Sequence, residues 1–322
     1  MDPWGRRGAL AWLLWPASLA FLAVVVVRRF LYRIKILPSK HPGIPVIVVG
    51  NLTVGGSGKT PLVLWVAQLL RAQRWKPGIV SRGYGGAMDG PHAATIASDP
   101  AAVGDEPMLL ARRSGCPVWV AQDRVAACRA LRAEHPDCDV ILSDDGLQHY
   151  ALARDLEICV VDERGFGNGL LLPAGPLREP RARLRSVDAV VTHGAANLEG
   201  HAMRLEGENF IRLNDAHDVR AAKSFAGQKV HAIAGIGDPQ RFFRQLAGFG
   251  LQVVPHPFPD HHAFRAGDLA FGDDAPVVMT EKDAVKCKRF AGVQHWVFPV
   301  RASLDPAFGR WLLGRLGGPK AA

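Results

Sequence analysis

The chain has 322 residues, 48% of them hydrophobic, with 39 Lys and Arg against 30 Asp and Glu, a formal charge of +9 and a pI near 9.6. That apolar content excludes a disordered chain and supplies core for two domains of ordinary size. The five cysteines are odd in number and lack C-x-x-C spacing, which argues against a disulfide framework or zinc site and for thiols in a reducing compartment.

In chain order, the first feature is Gly8 to Val27, which carries no charged residue and is long enough to span a bilayer core. Its four valines run directly into Arg28-Arg29 with no small-residue cleavage site, so the segment reads as a retained N-terminal transmembrane helix rather than a signal peptide. Arg28 to Leu37 interleaves bases with apolar and aromatic residues, the pattern of a helix lying among lipid headgroups. Arg28, Arg29, Arg33, Lys35 and Lys40 outweigh Arg6 and Arg7, which places the domains after the span on the cytoplasmic side of the membrane. The net positive charge favours an anionic partner. Beside a membrane segment, and with no aromatic-basic motif for nucleic acid, that partner is expected to be anionic lipid.

Next, the strand-like run Ile44 to Val49 is followed by Thr53-Val54-Gly55-Gly56-Ser57-Gly58-Lys59-Thr60 and then an apolar helical pattern over Leu62–Ala72. Glycines that let successive N–H groups turn inward at a helix N-terminus cradle phosphate. Lys59 is then expected to reach the β- and γ-phosphates of ATP, and the Thr60 hydroxyl to reach Mg²⁺. Thr53 stands where the usual pattern has its first glycine. A Gly-rich turn alone would leave Lys59-Thr60 unexplained.

Continuous apolar runs recur at Gly78–Val80, Val118–Ala121, Val140–Leu142, Ile158–Val161 and Ala189–Thr192, with helical patterns such as Met108–Arg113 and Val125–Ala133 between them. Strands buried on both faces read this way, so the expected fold is α/β with a P-loop NTPase-like parallel sheet. A second, smaller α/β series occupies His231–Gly235, Leu251–Val254, Val277–Thr280 and Trp296–Phe298, with polar Glu206 to Lys229 as the joint. The expected division is an anchor over 1–37, a P-loop core over 38–222 and a smaller domain over 223–322.

Asp144-Asp145-Gly146 ends an apolar strand, where a nucleotide fold places a carboxylate near Mg²⁺, although the same residues suit a turn. Asp105 and Glu106, after Gly104, read by themselves as an acidic helix start favoured by the helix dipole. Of the adjacent His261 and His262, at least one is expected to cap or to face solvent. Ser81-Arg82-Gly83-Tyr84-Gly85-Gly86 has the charge and flexibility of a substrate-facing loop. Arg181, Arg183 and Arg185 read as a solvated face.

Together the membrane segment, TVGGSGKTP at residues 53–61, SRGYGG at 81–86, GDEP at 104–107, DDGLQH at 144–149, LPAGPLREP at 172–180, DHH at 260–262 and TEKDAVK at 280–286 closely resemble the tetraacyldisaccharide 4′-kinase family of lipid A synthesis. The likeness runs from the anchor to about Lys286, and Thr53 is itself usual in that family. It implies transfer of the ATP γ-phosphate to the 4′-hydroxyl of a tetraacylated glucosamine disaccharide 1-phosphate. It further implies Asp105 as the base paired with His261 of the second domain, and Asp144, Asp145 and Glu106 at the metal and phosphates. Arg82, Tyr84, His149 and Glu179 would then line the acceptor site, while which acid touches the ion stays open. The reading from another class is a membrane-tethered ATPase or nucleotide switch. A guanine-specific switch is disfavoured because Thr280-Glu281-Lys282-Asp283 is not N-K-x-D.

Overall fold

The computed structural model describes residues 4–83, 90–194 and 198–318. Its elements, in order, are α1 (Ala9–Arg33), β1 (Val46–Gly50), α2 (Lys59–Ala72), β2 (Pro77–Ser81), β3 (His92–Ala94), α3 (Pro100–Val103), α4 (Asp105–Ser114), β4 (Val118–Val120), α5 (Arg124–Glu134), β5 (Val140–Asp144), β6 (Leu156–Asp162), β7 (Ala189–His193), β8 (His201–Glu206), β9 (Asn209–Arg212) and β10 (Asp215–Ala221). The chain continues through β11 (Lys229–Ala234), α6 (Pro239–Ala247), β12 (Gln252–Pro257), β13 (Val277–Thr280), α7 (Glu281–Cys287), β14 (His295–Phe298), β15 (Arg301–Leu304) and α8 (Pro306–Arg315). Tyr84 lies outside the described residues.

Among these residues the strands form a nine-stranded sheet, ordered β15-β8-β7-β6-β1-β5-β2-β4-β3, and a six-stranded sheet, ordered β10-β9-β14-β13-β11-β12. The centre of the large sheet is parallel. β1 pairs with β5 through Val46↔Ile141 to Val49↔Asp144, and with β6 through Ile47↔Leu156 to Gly50↔Cys159. Every residue of β1 and β5 is buried, which the unbroken apolar runs anticipate. Successive side chains face opposite ways, so Ile47 and Val49 join the core under α2 while Val46 and Val48 join the core under α5. All parallel strands end on one edge, where the β1–α2 and β5 turns meet, and that edge is where open α/β sheets place ligands.

The sheets divide the chain elsewhere than at 222/223. The polar segment expected as the joint, Glu206 to Lys229, forms the β9–β10 hairpin, which adds antiparallel to β14 of the second sheet. β15 returns to the first sheet, pairing with β8 through Leu304↔Met203, and α8 buries Phe308 and Leu312 against the α2 core. The hairpin was hard to see because β10 is almost wholly exposed, and its register shifts between Asp215 and Val219. Two chain crossings, after Glu206 and before Arg301, therefore connect the domains.

α1 has 25 residues and mean hydropathy 2.3 over its best window, so it is long and apolar enough to cross a membrane. It also leans on the first domain along its length. The Asn168 N–H donates to the Trp4 carbonyl at 2.8 Å, the Ser18 hydroxyl donates to the Leu171 carbonyl at 2.8 Å, and Arg29 Nη2 donates to Ser186 Oγ at 2.9 Å. Only the stripe with Ala11 and Ser18 is buried, while Trp12, Leu13, Leu19, Val24 and Phe30 face outward.

Candidate active site

A cleft of about 1250 Å³ opens between the domains on the carboxyl edge of the large sheet. Thr53 to Gly56 and Lys59 form one wall, Arg82, Arg124, Asp145, Gln148, His149 and Arg178 a second, and Asp260 with His261 a third; Trp4 and Arg28 stand beside them.

The phosphate-loop geometry explains Thr53. Left-handed backbone falls on Gly55 (φ 90°) and Gly58 (φ 86°), and position 53 needs none. Thr53 instead bridges to Leu177, and the Val54 N–H donates to the Pro176 carbonyl at 2.9 Å. These two residues, expected to bind nucleotide, thus have backbone committed to the 176–177 segment. Gly55 to Gly58 retain the cradle role. Gly58 precedes α2, whose first residue, Lys59, is 8% exposed; its Nζ donates to Asn51 Oδ1 at 3.2 Å and lies 3.5 Å from Asp145 Oδ1. Thr60 faces a smaller cavity beside Ser57 and Gly58 rather than the main cleft.

The paired aspartates differ. Asp144 is fully buried and accepts from Ser81 Oγ at 3.3 Å, while its Oδ1 has no hydrogen-bond partner. Burial, with Glu106 and Asp145 nearby, pushes its carboxyl up to about 7. Asp145 sits at φ 48° and accepts from Arg178 Nη1 at 3.0 Å on both oxygens. Burial works against its charge, but Lys59 and Arg178 more than offset that and hold it down at about 2. One is a buried acid with a spare oxygen; the other is a neutralised anion.

Across the cleft the structure brings Asp105 and His261 together over 156 residues of sequence, with His261 Nδ1 3.1 Å from Asp105 Oδ2. Asp105 is 5% exposed in the first turn of α4, whereas the His261 imidazole reaches the cleft from a backbone with φ 63°. Burial would raise the Asp105 carboxyl; the His261 hydrogen bond and Lys282 bring it below the ordinary range. His261 moves up, through its bond to Asp105 and against its burial. Lys282 of α7 donates to Glu106 Oε1 and Asp260 Oδ1, both at 3.0 Å, and lies 3.5 Å from His261 Nε2. Burial opposes its charge, yet Glu106, Asp105 and Asp260 hold it firmly protonated. His262 turns away to Asp268 at 3.0 Å.

The acceptor-side residues separate. Arg82 and His149 line the cleft, and burial with the Arg124 guanidinium pushes His149 down to about 4. Glu179 does not line it. It is 1% exposed and accepts from Gln148 Nε2 at 2.9 Å and from the Tyr150 hydroxyl, so it braces the wall from behind. Arg183 is not solvated either: it is 2% exposed and ion-paired to Glu157 at 2.5 Å. Among the described residues no group of three or more His, Cys, Asp and Glu gathers to hold a metal, so Glu106, Asp144 and Asp145 with Thr60 do not form a ready-made cage.

The sequence matches, over residues 10–317, the family described as Tetraacyldisaccharide-1-P 4′-kinase, LpxK. The chain belongs to that family. It is 52% identical over 320 residues to "Tetraacyldisaccharide 4′-kinase" of Azoarcus sp. (strain BH72), covering 97% of this chain and 94% of the relative. It is likewise 52% identical to the protein of that name from Aromatoleum aromaticum, covering 97% and 96%. Its fold is similar to that of a crystal structure of LpxK from Aquifex aeolicus, described as an "apo" form in complex with ATP, with a TM-score of 0.79, 27% identity, and coverage of 95% of this chain and 99% of that one. For a family member, sequence reasoning had passed over Arg124, Arg178 and Lys282. The last two lie inside motifs that carried the resemblance, and a charge inside a rigid or apolar-flanked motif was the signal available. Arg124 follows its helix cap Asp123 and looks like any solvated first-turn residue, yet it is 4% exposed.

Proposed function

We propose that this protein transfers the γ-phosphate of ATP to the 4′-hydroxyl of tetraacyldisaccharide 1-phosphate, giving the 1,4′-bisphosphate, at the cytoplasmic face of the inner membrane. The observation that carries the reading is one cleft lined by both the Gly55–Lys59 phosphate cradle and the Asp105-backed His261, with α1 beside its mouth. Family membership and the ATP complex of the Aquifex aeolicus relative support the same conclusion.

A sugar hydroxyl is a poor nucleophile, so a base must take its proton as the O–P bond forms. Asp105 is buried and His261 reaches the cleft, so the geometry favours the histidine as acceptor and the aspartate as the group that holds it. Nδ1 faces Asp105, which leaves Nε2 to receive the proton. Its 3.5 Å approach to Lys282 is the longest of that ammonium's contacts with Glu106, Asp260 and His261, and so the one most easily given up. The proton moves from the 4′-hydroxyl to His261 Nε2, the new O–P bond forms, the bond from the γ-phosphorus to the bridging oxygen breaks, and ADP departs. Lys59, held by Asn51 and Asp145, faces the charge that spreads over the transferring group.

The spare Oδ1 of Asp144, the unpartnered Ser57 hydroxyl and Thr60 are hard oxygen donors that fit magnesium arriving with the nucleotide. An ion held there would offset negative charge on the phosphates. Asp145 is already met by Arg178 and Lys59 and suits the ion less. Arg28, Arg29, Arg33 and Lys35, at the end of α1, would meet anionic headgroups as the exposed Trp12, Leu13 and Phe30 enter the apolar layer.

The test is incubation of the full chain in detergent micelles with γ-labelled ATP and a panel of lipid and peptide acceptors. Label on the 4′-position of the disaccharide supports the reading. Label released only as inorganic phosphate, whatever the acceptor, overturns it.

A further inference from the structure

Phosphoryl transfer as described leaves unused a guanidinium at the joint between the domains. Arg164 comes just after the end of β6 in the cleft wall, with its side chain 34% exposed. Its Nη2 donates to the Gly56 carbonyl at 2.6 Å and its Nη1 to the Gly237 carbonyl at 3.1 Å. Asp162, 2% exposed, accepts from Arg164 Nε at 2.9 Å, Nη2 at 2.5 Å and the Arg164 backbone N–H at 3.1 Å. Gly56 belongs to the phosphate loop and Gly237 to the β11–α6 turn of the second domain. Their backbones touch: a Cβ on Gly237 would stand 2.4 Å from the Gly56 nitrogen.

A planar fork of five donors can serve two carbonyls and one carboxylate at once, which a single ammonium does without fixing a plane. Because a trans peptide points its C=O and the next N–H in opposite directions, a cation holding the Gly56 carbonyl also aims the Ser57 N–H away from itself. The Gly237 carbonyl sets Asp238 in the same way, and the Asp238 side chain caps α6 by accepting the Arg241 N–H at 3.2 Å.

We propose that Arg164 is a positioning residue that clamps the phosphate loop to the β11–α6 turn of the second domain, so that the loop's shape and the approach of the two domains at Gly56 and Gly237 depend on this side chain. The proposal rests on the nucleotide reading of that loop. It places Arg164 on carbonyls and Asp162, not on the transferring phosphate, so its loss should loosen ATP more than it slows chemistry.

The experiment uses full-length chain in micelles, on a Cys116→Ser background with spin labels at Ile96 and Val293, each 71% exposed and one on each domain. Distance distributions with and without ATP are compared for wild type, Arg164→Ala, Arg164→Lys and Gly237→Ala, alongside kcat and the KM for ATP. The clamp predicts a broader distribution and an ATP KM raised roughly tenfold in Arg164→Ala, with kcat changed less. It further predicts partial recovery with Lys or with added guanidinium ion, and a shifted distribution in Gly237→Ala. An unchanged distribution together with an unchanged KM overturns it. A loss of kcat alone, with distribution and KM intact, also overturns it and moves Arg164 onto the reacting phosphate. Wild-type chain that binds no ATP would refute the nucleotide reading, and the distance distribution would still judge the clamp.

Discussion

Asp105 Oδ2 and His261 Nδ1 meet at 3.1 Å across the two domains, one residue at the start of α4 and the other on a left-handed turn after β12. Neither residue reaches the other unless the domains approach. If they act as a unit, Asp105→Ala and His261→Ala should each lower kcat by about 10²–10⁴-fold, with little effect on ATP affinity. The double variant should then be hardly worse than the more damaging single change. Turnover on the lipid acceptor, with ATP affinity measured separately, decides. Losses that multiply would contradict the paired arrangement.

Lys59→Ala should remove phosphoryl transfer by at least about 10²–10³-fold and leave the fold intact. Asp145 keeps its two 3.0 Å contacts with Arg178, so no carboxylate is stranded. The check is activity beside a thermal melt; near-normal turnover would remove Lys59 from the phosphate site.

The parallel core was legible because its strands are buried on both faces: Val46–Val49, Val140–Leu142 and Ile158–Val161 read as unbroken apolar runs. β3, β8 and β15 were not: β3 and β15 are the sheet's two edges and β8 lies next to one of them, and all three carry mostly half-exposed or exposed residues with no regular alternation to read. The phosphate loop was legible because its chemistry is local, with glycines, lysine and threonine adjacent in sequence. Asp105 beside His261 came only through family likeness, because a 156-residue separation has no local signature. Arg124, Arg164 and Lys282 take their meaning from partners in distant segments, and Glu179 matched a motif while its side chain turned into the wall.

Ser18 tests whether α1 is more than an anchor. Its hydroxyl donates to the Leu171 carbonyl at 2.8 Å and accepts the Ala174 N–H at 3.0 Å, just before the segment that braces Thr53 and Val54. Ser18→Val strands both backbone groups, at about 1–3 kcal/mol each. Membrane fractionation should be unchanged, while the melting temperature and the affinity for ATP fall. Deleting residues 1–27 should lose both contact and anchor yet leave peripheral binding through Arg28 to Lys35, at roughly 1 kcal/mol per basic residue. Unaltered activity in Ser18→Val would reduce α1 to a tether.

The final prediction concerns His193, at the end of β7 behind the phosphate loop. It is 6% exposed, and a Cβ on Gly58 would stand 3.0 Å from its Nδ1, the atom that faces Arg241 Nη1 at 3.1 Å. Burial first, and the Arg241 guanidinium second, push its pKa down to about 4. In the unfolded chain the same group takes up a proton near pH 6.5. Between those values the unfolded state binds more protons than the native one, so stability rises with pH across that window and is lost as the pH falls through it. Between pH 7 and pH 5 the loss amounts to about 2 kcal/mol, with one pKa unit worth about 1.4 kcal/mol. His193→Gln keeps an oxygen for Arg241 to donate to and cannot titrate. Denaturant melts at both pH values should therefore show a pH-dependent loss smaller by that amount in the variant. His149, lowered to about 4 by burial and Arg124, keeps its own share of the acid sensitivity in both proteins and cancels from the comparison. Equal losses in wild type and variant would mean that His193 takes up its proton over the same pH range folded as unfolded, and that burial and Arg241 do not lower its pKa.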